Sequence, residues 1–317
     1  MPLLKSSYRS PLGLSHGHLQ TILPAILRRV PPVTSRRERI ETPDGDFLDL
    51  DWTTGTGSRV AVLSHGLEGK SQDAYIQGMA RALSRRGWEI VAWNCRGCSG
   101  EMNRQLRFYH SGSSDDLRIV VQHVLAQERF REVALIGFSL GGNMTLKFLG
   151  EEGAAIDPRI VGGVTFSVPC DLAASSRRLE STENRIYMRR FLKSLRRKVL
   201  KKAERFPGAM NLSGLKEIRT FKQFDDQFTA PLHGFTSAED YWARAGSQSF
   251  LPSIRVRALL VNAQDDPFLA GGCFPVAEAG ASPHLHLEMP SGGGHVGFWS
   301  FGQEYWSETR AAEFLGG

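Results

Sequence analysis

The stretch Val133-Ala134-Leu135-Ile136-Gly137-Phe138-Ser139-Leu140-Gly141 decides the fold class of this chain of 317 residues. Its first four residues favour a strand, Gly137 to Gly141 match the pattern G-x-S-x-G, and the run 144–149 favours a helix. A sharp strand-to-helix turn strains the backbone of its central residue, and the flanking glycines leave room for that conformation. The Ser139 hydroxyl is then lifted clear of the sheet at a helix N-terminus, where anions are stabilised. We therefore predict that Ser139 is a nucleophile.

Short apolar strands alternate with amphipathic helices on both sides of this turn. The pattern predicts strands at 59–64, 88–93, 132–137, 160–166, 256–262 and 284–289, and helices at 73–86, 114–127, 140–149, 274–279 and 303–314. Strands that are apolar along their whole length are typical of parallel strands covered on both faces. The sequence therefore predicts an α/β fold, with a mostly parallel central sheet flanked by helices. A β-hairpin at 39–42 and 47–52 precedes the alternating part.

The strand–helix alternation stops near Pro169 and resumes near Val256. The residues between these points, about 171–250, have a helical and basic pattern. An insertion between two strands of such a sheet is often a lid over the site. We predict a single domain over 1–317, with an N-terminal arm at 1–38 and a helical lid insertion at about 171–250.

Composition excludes several classes of protein. Hydrophobic residues are 41% and charged residues 23% of the chain, which is typical of a globular protein and not of a disordered or fibrous one. Neither a membrane-spanning run nor the apolar stretch of a secretory signal is visible, so we expect a cytoplasmic protein. The four cysteines are too few for a disulfide scaffold, and we interpret them all as structural thiols; they are Cys95, Cys98, Cys170 and Cys273.

Positive charge is concentrated in one segment, residues 177–205. It holds 12 basic and three acidic residues, a local charge of +9 that leaves the rest of the chain at −3 against a net charge of +6. Its apolar residues recur at helical spacing and predict an amphipathic helix with a basic outer face; they are Ile186, Phe191, Leu192, Leu195, Val199 and Leu200. This face is either simply solvated or in weak contact with an anionic membrane surface. We predict no nucleic-acid binding, because no zinc-finger or RNP-type pattern is present.

A serine alcohol needs an imidazole base, and the base needs an acid that fixes its orientation. In an architecture of this kind the chain order is serine, acid, histidine. Asp265 and Asp266 follow the strand 256–262, at the end of the strand where ligands bind in open α/β sheets. His295 comes after three glycines that let the backbone approach the sheet edge. The sequence predicts His295 as the base, and either aspartate as the acid.

Other histidines and acids compete for these roles less well. His284 and His286 alternate on a strand and are expected to be ordinary sheet residues. His16 and His18 have a spacing that suits a metal but lack neighbouring cysteines or acids, so we predict no metal site. The adjacent acids at 225–226 do not fit the catalytic order, and we interpret them as residues that anchor the lid.

The loop 64–69 ends the first parallel strand, where a hydrolase of this architecture supplies one backbone N–H to an oxyanion hole. We predict that the N–H of Leu67 is this donor and that the N–H of Leu140, after the nucleophile, is the second. His65 is expected to support the loop. No cofactor is predicted, because the chain has no G-x-G-x-x-G motif after its first strand and no phosphate-binding P-loop.

Nine short motifs spread over residues 18–298 together resemble the YheT-like branch of the α/β hydrolases. They are His18-Leu19-Gln20-Thr21, Pro43-Asp44-Gly45-Asp46, His65-Gly66-Leu67-Glu68-Gly69, Arg96-Gly97-Cys98-Ser99-Gly100, Tyr109-His110-Ser111-Gly112, Gly137-Phe138-Ser139-Leu140-Gly141-Gly142-Asn143-Met144, Phe224-Asp225-Asp226, Asp265-Asp266-Pro267-Phe268 and Gly293-Gly294-His295-Val296-Gly297-Phe298. The resemblance implies a Ser–Asp–His charge relay carried by Ser139, Asp266 and His295. It also favours Asp266 over Asp265, and it implies hydrolysis of esters with short- or medium-chain acyl groups.

The sequence thus predicts a serine hydrolase that cleaves carboxylic esters through an acyl-enzyme. One alternative is an acyltransferase, in which an alcohol replaces water in the second step. The other is a non-catalytic protein that binds anionic membranes through the basic segment. The predicted partner is a small-molecule acyl ester.

Overall fold

A computed structural model describes residues 3–53, 55 and 57–316, so the ends of the predicted domain, 1–2 and 317, lie outside the described residues. The strands are β1 (Leu3–Leu4), β2 (Ser35–Glu41), β3 (Phe47–Thr53), β4 (Arg59–Ser64), β5 (Glu89–Asn94), β6 (Glu132–Phe138), β7 (Ile160–Phe166), β8 (Ala258–Val261) and β9 (Leu285–Glu288). They form one sheet in the order β1-β9-β8-β7-β6-β4-β5-β3-β2. Within the described residues only the pairs β2–β3 and β3–β5 are antiparallel, which is the mostly parallel sheet that the sequence predicts.

Strand β6 lies inside the sheet between β4 and β7, and its residues alternate between two cores. Val133 and Leu135 belong to the core on one face, and Ala134 and Ile136 belong to the core on the other. All four side chains are buried, because helices cover the sheet on both faces. This double cover explains why the strand is apolar without interruption.

Eleven α-helices are assigned within the described residues. They are α1 (Gly17–Leu27), α2 (Ala74–Ser84), α3 (Ser114–Leu125), α4 (Leu140–Glu152), α5 (Leu172–Leu179), α6 (Arg185–Arg205), α7 (Phe221–Phe224), α8 (Ala230–Leu232), α9 (Ala238–Ala245), α10 (Val276–Ala281) and α11 (Trp306–Phe314). A π-helical turn at Asp225–Thr229 joins α7 to α8. Helices α3 and α4 pack on one face of the sheet and α2 and α11 on the other. The two strands predicted at 59–64 and 160–166 have the predicted bounds, and most other element ends shift by one to four residues.

The N-terminal arm is more ordered than the sequence indicates. The structure has helix α1 and strand β1 there, and β1 pairs in parallel with β9 at the edge of the sheet. Helix α1 contains Pro24 and buries only Gly17, Gln20 and Pro24, so it lacks the apolar stripe by which an amphipathic helix is recognised.

Helices α5 to α9 lie between β7 and β8 along the chain, where the sequence predicts a helical insertion. The inner face of α6 packs in a separate apolar cluster that includes Leu192 and Val199. The expectation that Ile186 and Leu200 lie on this apolar face was wrong, because these two residues are 72% and 48% exposed. No helix in the described ranges is both long and apolar enough to cross a membrane.

Candidate active site

Ser139 lies in the tight turn between β6 and α4. Its backbone has φ 52° and ψ −118°, a conformation that L-residues rarely adopt, and it is therefore strained as the motif predicts. Its N–H donates to the carbonyl oxygen of Phe166 at 2.9 Å, which ties the turn to β7. At Gly141 a Cβ atom would stand 2.3 Å from the carbonyl oxygen of Ser64, so only glycine lets α4 begin this close to β4.

The structure brings together Ser139, His295 and Asp266 from the ends of three different strands. The Oγ atom of Ser139 lies 2.9 Å from Nε2 of His295, and Nδ1 of His295 lies 2.9 and 3.1 Å from the two carboxylate oxygens of Asp266. The Asp266 side chain is fully buried, while that of His295 is 10% exposed. With the imidazole proton on Nδ1, Nε2 is free to accept a proton from the serine hydroxyl.

Asp265 and Asp266 point to different partners. Oδ1 of Asp265 accepts a hydrogen bond from the N–H of Gly294 at 2.9 Å. This carboxylate therefore holds the loop that carries His295 and not the imidazole itself. Burial raises the pKa of the Asp265 carboxyl above its ordinary value. Of the two acids that the sequence leaves open, Asp266 is therefore the one beside His295.

The N-terminal arm fixes the backbone around His295. The N–H of His295 donates to Oγ1 of Thr21 at 2.9 Å, and the Thr21 hydroxyl donates to the carbonyl oxygen of Gly17 at 2.7 Å. At Gly294, with φ 57°, a Cβ atom would stand 2.4 Å from that same carbonyl oxygen. Sequence reasoning missed this role of α1, although the motif His18-Leu19-Gln20-Thr21 was its visible signal.

The loop after β4 is held by two tyrosines on either side of Leu67. The hydroxyl of Tyr75 accepts from the N–H of Gly66 at 2.9 Å, and the hydroxyl of Tyr109 accepts from the N–H of Glu68 at 2.7 Å. Leu67 and Leu140 line the same cavity as Ser139. Leu140 is the first residue of α4, so its N–H is one of those that a helix leaves without an internal partner.

His65 supports the same loop, as its position in the sequence suggests. Its Nδ1 donates to the carbonyl oxygen of Gly66 at 2.7 Å, and its Nε2 accepts from the N–H of Cys95 at 3.0 Å. Both ring nitrogens are therefore engaged by the backbone, and His65 has no free nitrogen with which to exchange a proton.

The cavity in front of Ser139 is mostly apolar, and the insertion builds most of its wall. Its apolar lining side chains are Leu67, Phe108, Leu140, Pro169, Leu172, Leu179, Phe191, Leu195, Val199, Phe221, Phe224, Phe228, Trp242 and Phe268. His110 and His233 also line it, and burial lowers the pKa of both imidazoles, which keeps them neutral at pH 7.

The acid pair at 225–226 holds the insertion together, as interpreted from the sequence. The Asp225 carboxylate accepts from Trp242 Nε1 at 2.8 Å and from the Thr229 hydroxyl at 2.6 Å. Burial raises the pKa of Asp225 to about 7. Asp226 accepts from the N–H of Ala238 at 2.7 Å. Neither acid approaches His295 within hydrogen-bond distance, which leaves Asp266 as the carboxylate on the imidazole.

The other histidines singled out in the sequence lie elsewhere. His16 and His18 stack on each other, and Nδ1 of His18 lies 3.0 Å from the Tyr187 hydroxyl. His286 lies on β9, and His284 directly precedes that strand. Among the described residues, no group of three or more metal-ligating side chains comes together.

Comparisons with known proteins identify the family of the chain and agree with its fold. A family model described as "alpha/beta hydrolase fold" matches residues 61–301. The protein named "Putative esterase YheT" of Escherichia coli (strain K12) is 36% identical over 96% of this chain and 91% of its own length. The protein named "Phospholipase ABHD3" of Mus musculus is 29% identical over 94% of this chain and 74% of its own. The crystal structure of the Pyrococcus furiosus esterase Pf2001 superposes with a TM-score of 0.62 at 16% identity, covering 97% of this chain and 98% of that one.

The chain therefore belongs to the α/β hydrolase family, within its YheT-like branch. It is a carboxylic ester hydrolase. The fold class and the family resemblance predicted from the sequence are both confirmed.

The substitution Thr21→Val tests whether the arm sets the position of His295. Valine keeps the shape of threonine but removes the oxygen that accepts from the His295 N–H, so the imidazole should lose alignment with Ser139. We expect kcat for p-nitrophenyl butyrate to fall by about 10- to 100-fold. Thermal unfolding, measured alongside, should show a folded protein. The matched control is Thr34→Val, at an exposed threonine of the same arm; equal kcat values for the two variants would contradict the role of Thr21.

Proposed function

We propose that this protein is a serine hydrolase that cleaves carboxylic esters through an acyl-enzyme. The observation that carries the proposal is the 2.9 Å approach of Ser139 Oγ to His295 Nε2, with the buried Asp266 on the other ring nitrogen. In this proposal Ser139 is the nucleophile, His295 the general base and then the general acid, and Asp266 the residue that orients the imidazole.

In the first step, Ser139 Oγ attacks the ester carbonyl carbon while His295 Nε2 takes the hydroxyl proton. The carbonyl oxygen becomes an oxyanion, which the N–H groups of Leu67 and Leu140 stabilise. As the intermediate collapses, the imidazolium gives its proton to the departing alcohol, and the acyl group stays on Ser139. The Asp266 carboxylate stabilises the imidazolium that forms between these two proton transfers.

In the second step, water attacks the acyl-enzyme. His295 takes a proton from the water, and a second oxyanion forms in the same place. When this intermediate collapses, the imidazolium returns its proton to Ser139 Oγ, and the carboxylic acid leaves. We propose hydrolysis instead of transfer to an alcohol because the relatives are named as an esterase and a phospholipase.

The lining of the cavity supports an ester with an apolar acyl chain of short or medium length. Side chains of α6 and of Phe224 and Phe228 form a continuous apolar wall, which gains free energy by removing an alkyl chain from water. We propose that the whole chain is one domain and that the insertion at about 171–250 is its lid.

The outer face of α6 supports a contact with an anionic membrane surface. Six basic residues stand at successive i, i+4 positions and form a cationic ridge; they are Arg185, Arg189, Lys193, Arg197, Lys201 and Arg205. All six are exposed, and none forms an ion pair with any residue that the structure describes. Like charges at this spacing each cost about 0.2–0.5 kcal/mol, so helix stability does not explain the ridge. The exposed Ile186 and Leu200 beside the bases favour a lipid surface over a nucleic acid.

The substitution Ser139→Ala tests the nucleophile. Because the members of a triad act as a unit, we expect kcat for p-nitrophenyl butyrate to fall by about 10⁴–10⁶. The control is Ser213→Ala, at an exposed serine of the insertion. Hydrolysis that survives Ser139→Ala at the level of the control would refute the proposed function.

The pair of substitutions Asp266→Asn and Asp265→Asn tests which acid orients His295. Asp266→Asn should lower kcat by about 10⁴, because an amide donor at this place favours the wrong imidazole tautomer. Asp265→Asn keeps an oxygen that can accept from Gly294, so its kcat should stay within about tenfold of wild type. A larger loss with Asp265→Asn than with Asp266→Asn would reverse the assignment.

Vesicle co-sedimentation at low salt tests the cationic ridge. A variant with Arg189, Lys193, Arg197 and Lys201 changed to Gln should bind vesicles of phosphatidylglycerol and phosphatidylcholine at least about tenfold more weakly than wild type. The control changes four exposed bases elsewhere to Gln, namely Lys5, Arg9, Arg36 and Arg131. Equal losses in the two variants would show that only net charge matters and would contradict a ridge-specific contact.

A further inference from the structure

A buried ion pair joins the insertion to the loop that carries Leu67. Glu68, the next residue, has φ 57°, so its backbone is held in the left-handed region although it is not glycine. Its Oε1 atom lies 2.7 Å from Nζ of Lys198, and the two side chains are only 9% and 15% exposed. Lys198 belongs to α6, which lies about 130 residues further along the chain.

Each oxygen of the Glu68 carboxylate accepts a hydrogen bond. Oε1 accepts from the Tyr109 hydroxyl at 2.7 Å as well as from Lys198, and Oε2 accepts from the Ser194 hydroxyl. Lys198 also donates to Sγ of Cys98 at 3.0 Å. We call this group of Glu68, Tyr109, Ser194 and Lys198 the carboxylate clasp.

The clasp is charged at neutral pH. Burial alone would raise the pKa of the Glu68 carboxyl, but the Lys198 ammonium and the hydrogen bonds from Ser194 and Tyr109 together outweigh it, and the pKa lies below its ordinary value. Burial likewise opposes the charge on Lys198, yet Cys98 and Glu68 raise the pKa of its ammonium. Removing one partner would leave the other charge buried and unpaired. The ion pair is therefore stable only while both side chains keep these positions.

Neighbouring side chains of α6 reach the clasp and the cavity. Ser194 and Lys198 are four residues apart and both reach the Glu68 carboxylate. Lys198 also lines the cavity in front of Ser139, as do Leu195 and Val199. Strained backbone at Glu68 persists only where the surroundings hold it. The backbone on either side of Leu67 is therefore held by a helix of the insertion as well as by the end of β4.

We propose that Glu68, held by Lys198 and Ser194 of α6, is a positioning residue that keeps the Leu67 N–H directed at the oxyanion. The inference rests on the proposed function, because it assigns a role within that oxyanion hole. Its consequence is that the insertion does more than enclose substrate. It completes the group of donors that stabilises the transition state, so activity requires α6 to be seated on the loop.

The test uses Glu68→Gln, Ser194→Ala and Lys198→Met in the full chain, with a short water-soluble ester. We expect kcat to fall by about 10- to 100-fold while KM changes by less than about threefold, since an oxyanion donor acts only on the transition state. Affinity for butylboronic acid, whose boron binds a serine oxygen and becomes a tetrahedral anion, should fall by a similar factor. Lys198→Arg keeps the charge and should restore most of the kcat that Lys198→Met loses.

The controls are Lys216→Met and Glu217→Gln, which remove exposed charges of the insertion that touch neither the clasp nor the cavity. Unchanged kcat and boronic-acid affinity in the clasp variants would overturn the inference, and so would a rise in KM alone. If Lys198→Met fails to fold, Ser194→Ala removes a single hydrogen bond and decides the question. Failure of the proposed function has a different signature: butylboronic acid would bind Ser139→Ala as tightly as wild type.

Discussion

The hydrogen bond between Ser139 and His295 is the interaction on which the rest of the structure depends. The two residues lie 156 positions apart in the chain, yet Oγ and Nε2 are 2.9 Å apart. Such proximity requires the carboxyl ends of β6, β8 and β9 to meet at one edge of the sheet, which a parallel arrangement provides. It also requires a strained turn at Ser139, whose cost is offset by the double-sided core around β6.

Both faces of helix α6 take part in the proposed function. Its inner face contributes Leu195 and Val199 to the apolar cavity and Lys198 to the carboxylate clasp. Its outer face carries the cationic ridge. In our proposal the inner face positions an oxyanion donor, and the outer face brings the chain to an anionic surface where acyl esters are found. In this proposal the insertion takes part in catalysis as well as covering the site.

Much of the fold and of the candidate site could be predicted, because local patterns and the order of the motifs are visible in the sequence. The G-x-S-x-G turn at Ser139 and the glycine run before His295 have unmistakable local signals. The choice between Asp265 and Asp266 has no such local signal, because adjacent residues share one loop. The family resemblance favours Asp266, and the folded backbone shows that its carboxylate meets the imidazole. Helix α1 was missed, because Pro24 and a scarcity of buried residues hide its periodicity. Contacts between residues far apart in the chain, such as Glu68 with Lys198, produce no periodic pattern in the sequence.

Labelling with a fluorophosphonate, followed by peptide mass spectrometry, measures whether His295 activates Ser139. An alcohol activated by a neighbouring imidazole displaces fluoride from phosphorus, whereas ordinary serines do not react. We expect one phosphonyl group per chain, on the peptide that contains Ser139, and loss of labelling when His295 is changed to Ala. Labelling confined to another serine, or labelling of Ser139 that is indifferent to His295, would contradict this activation.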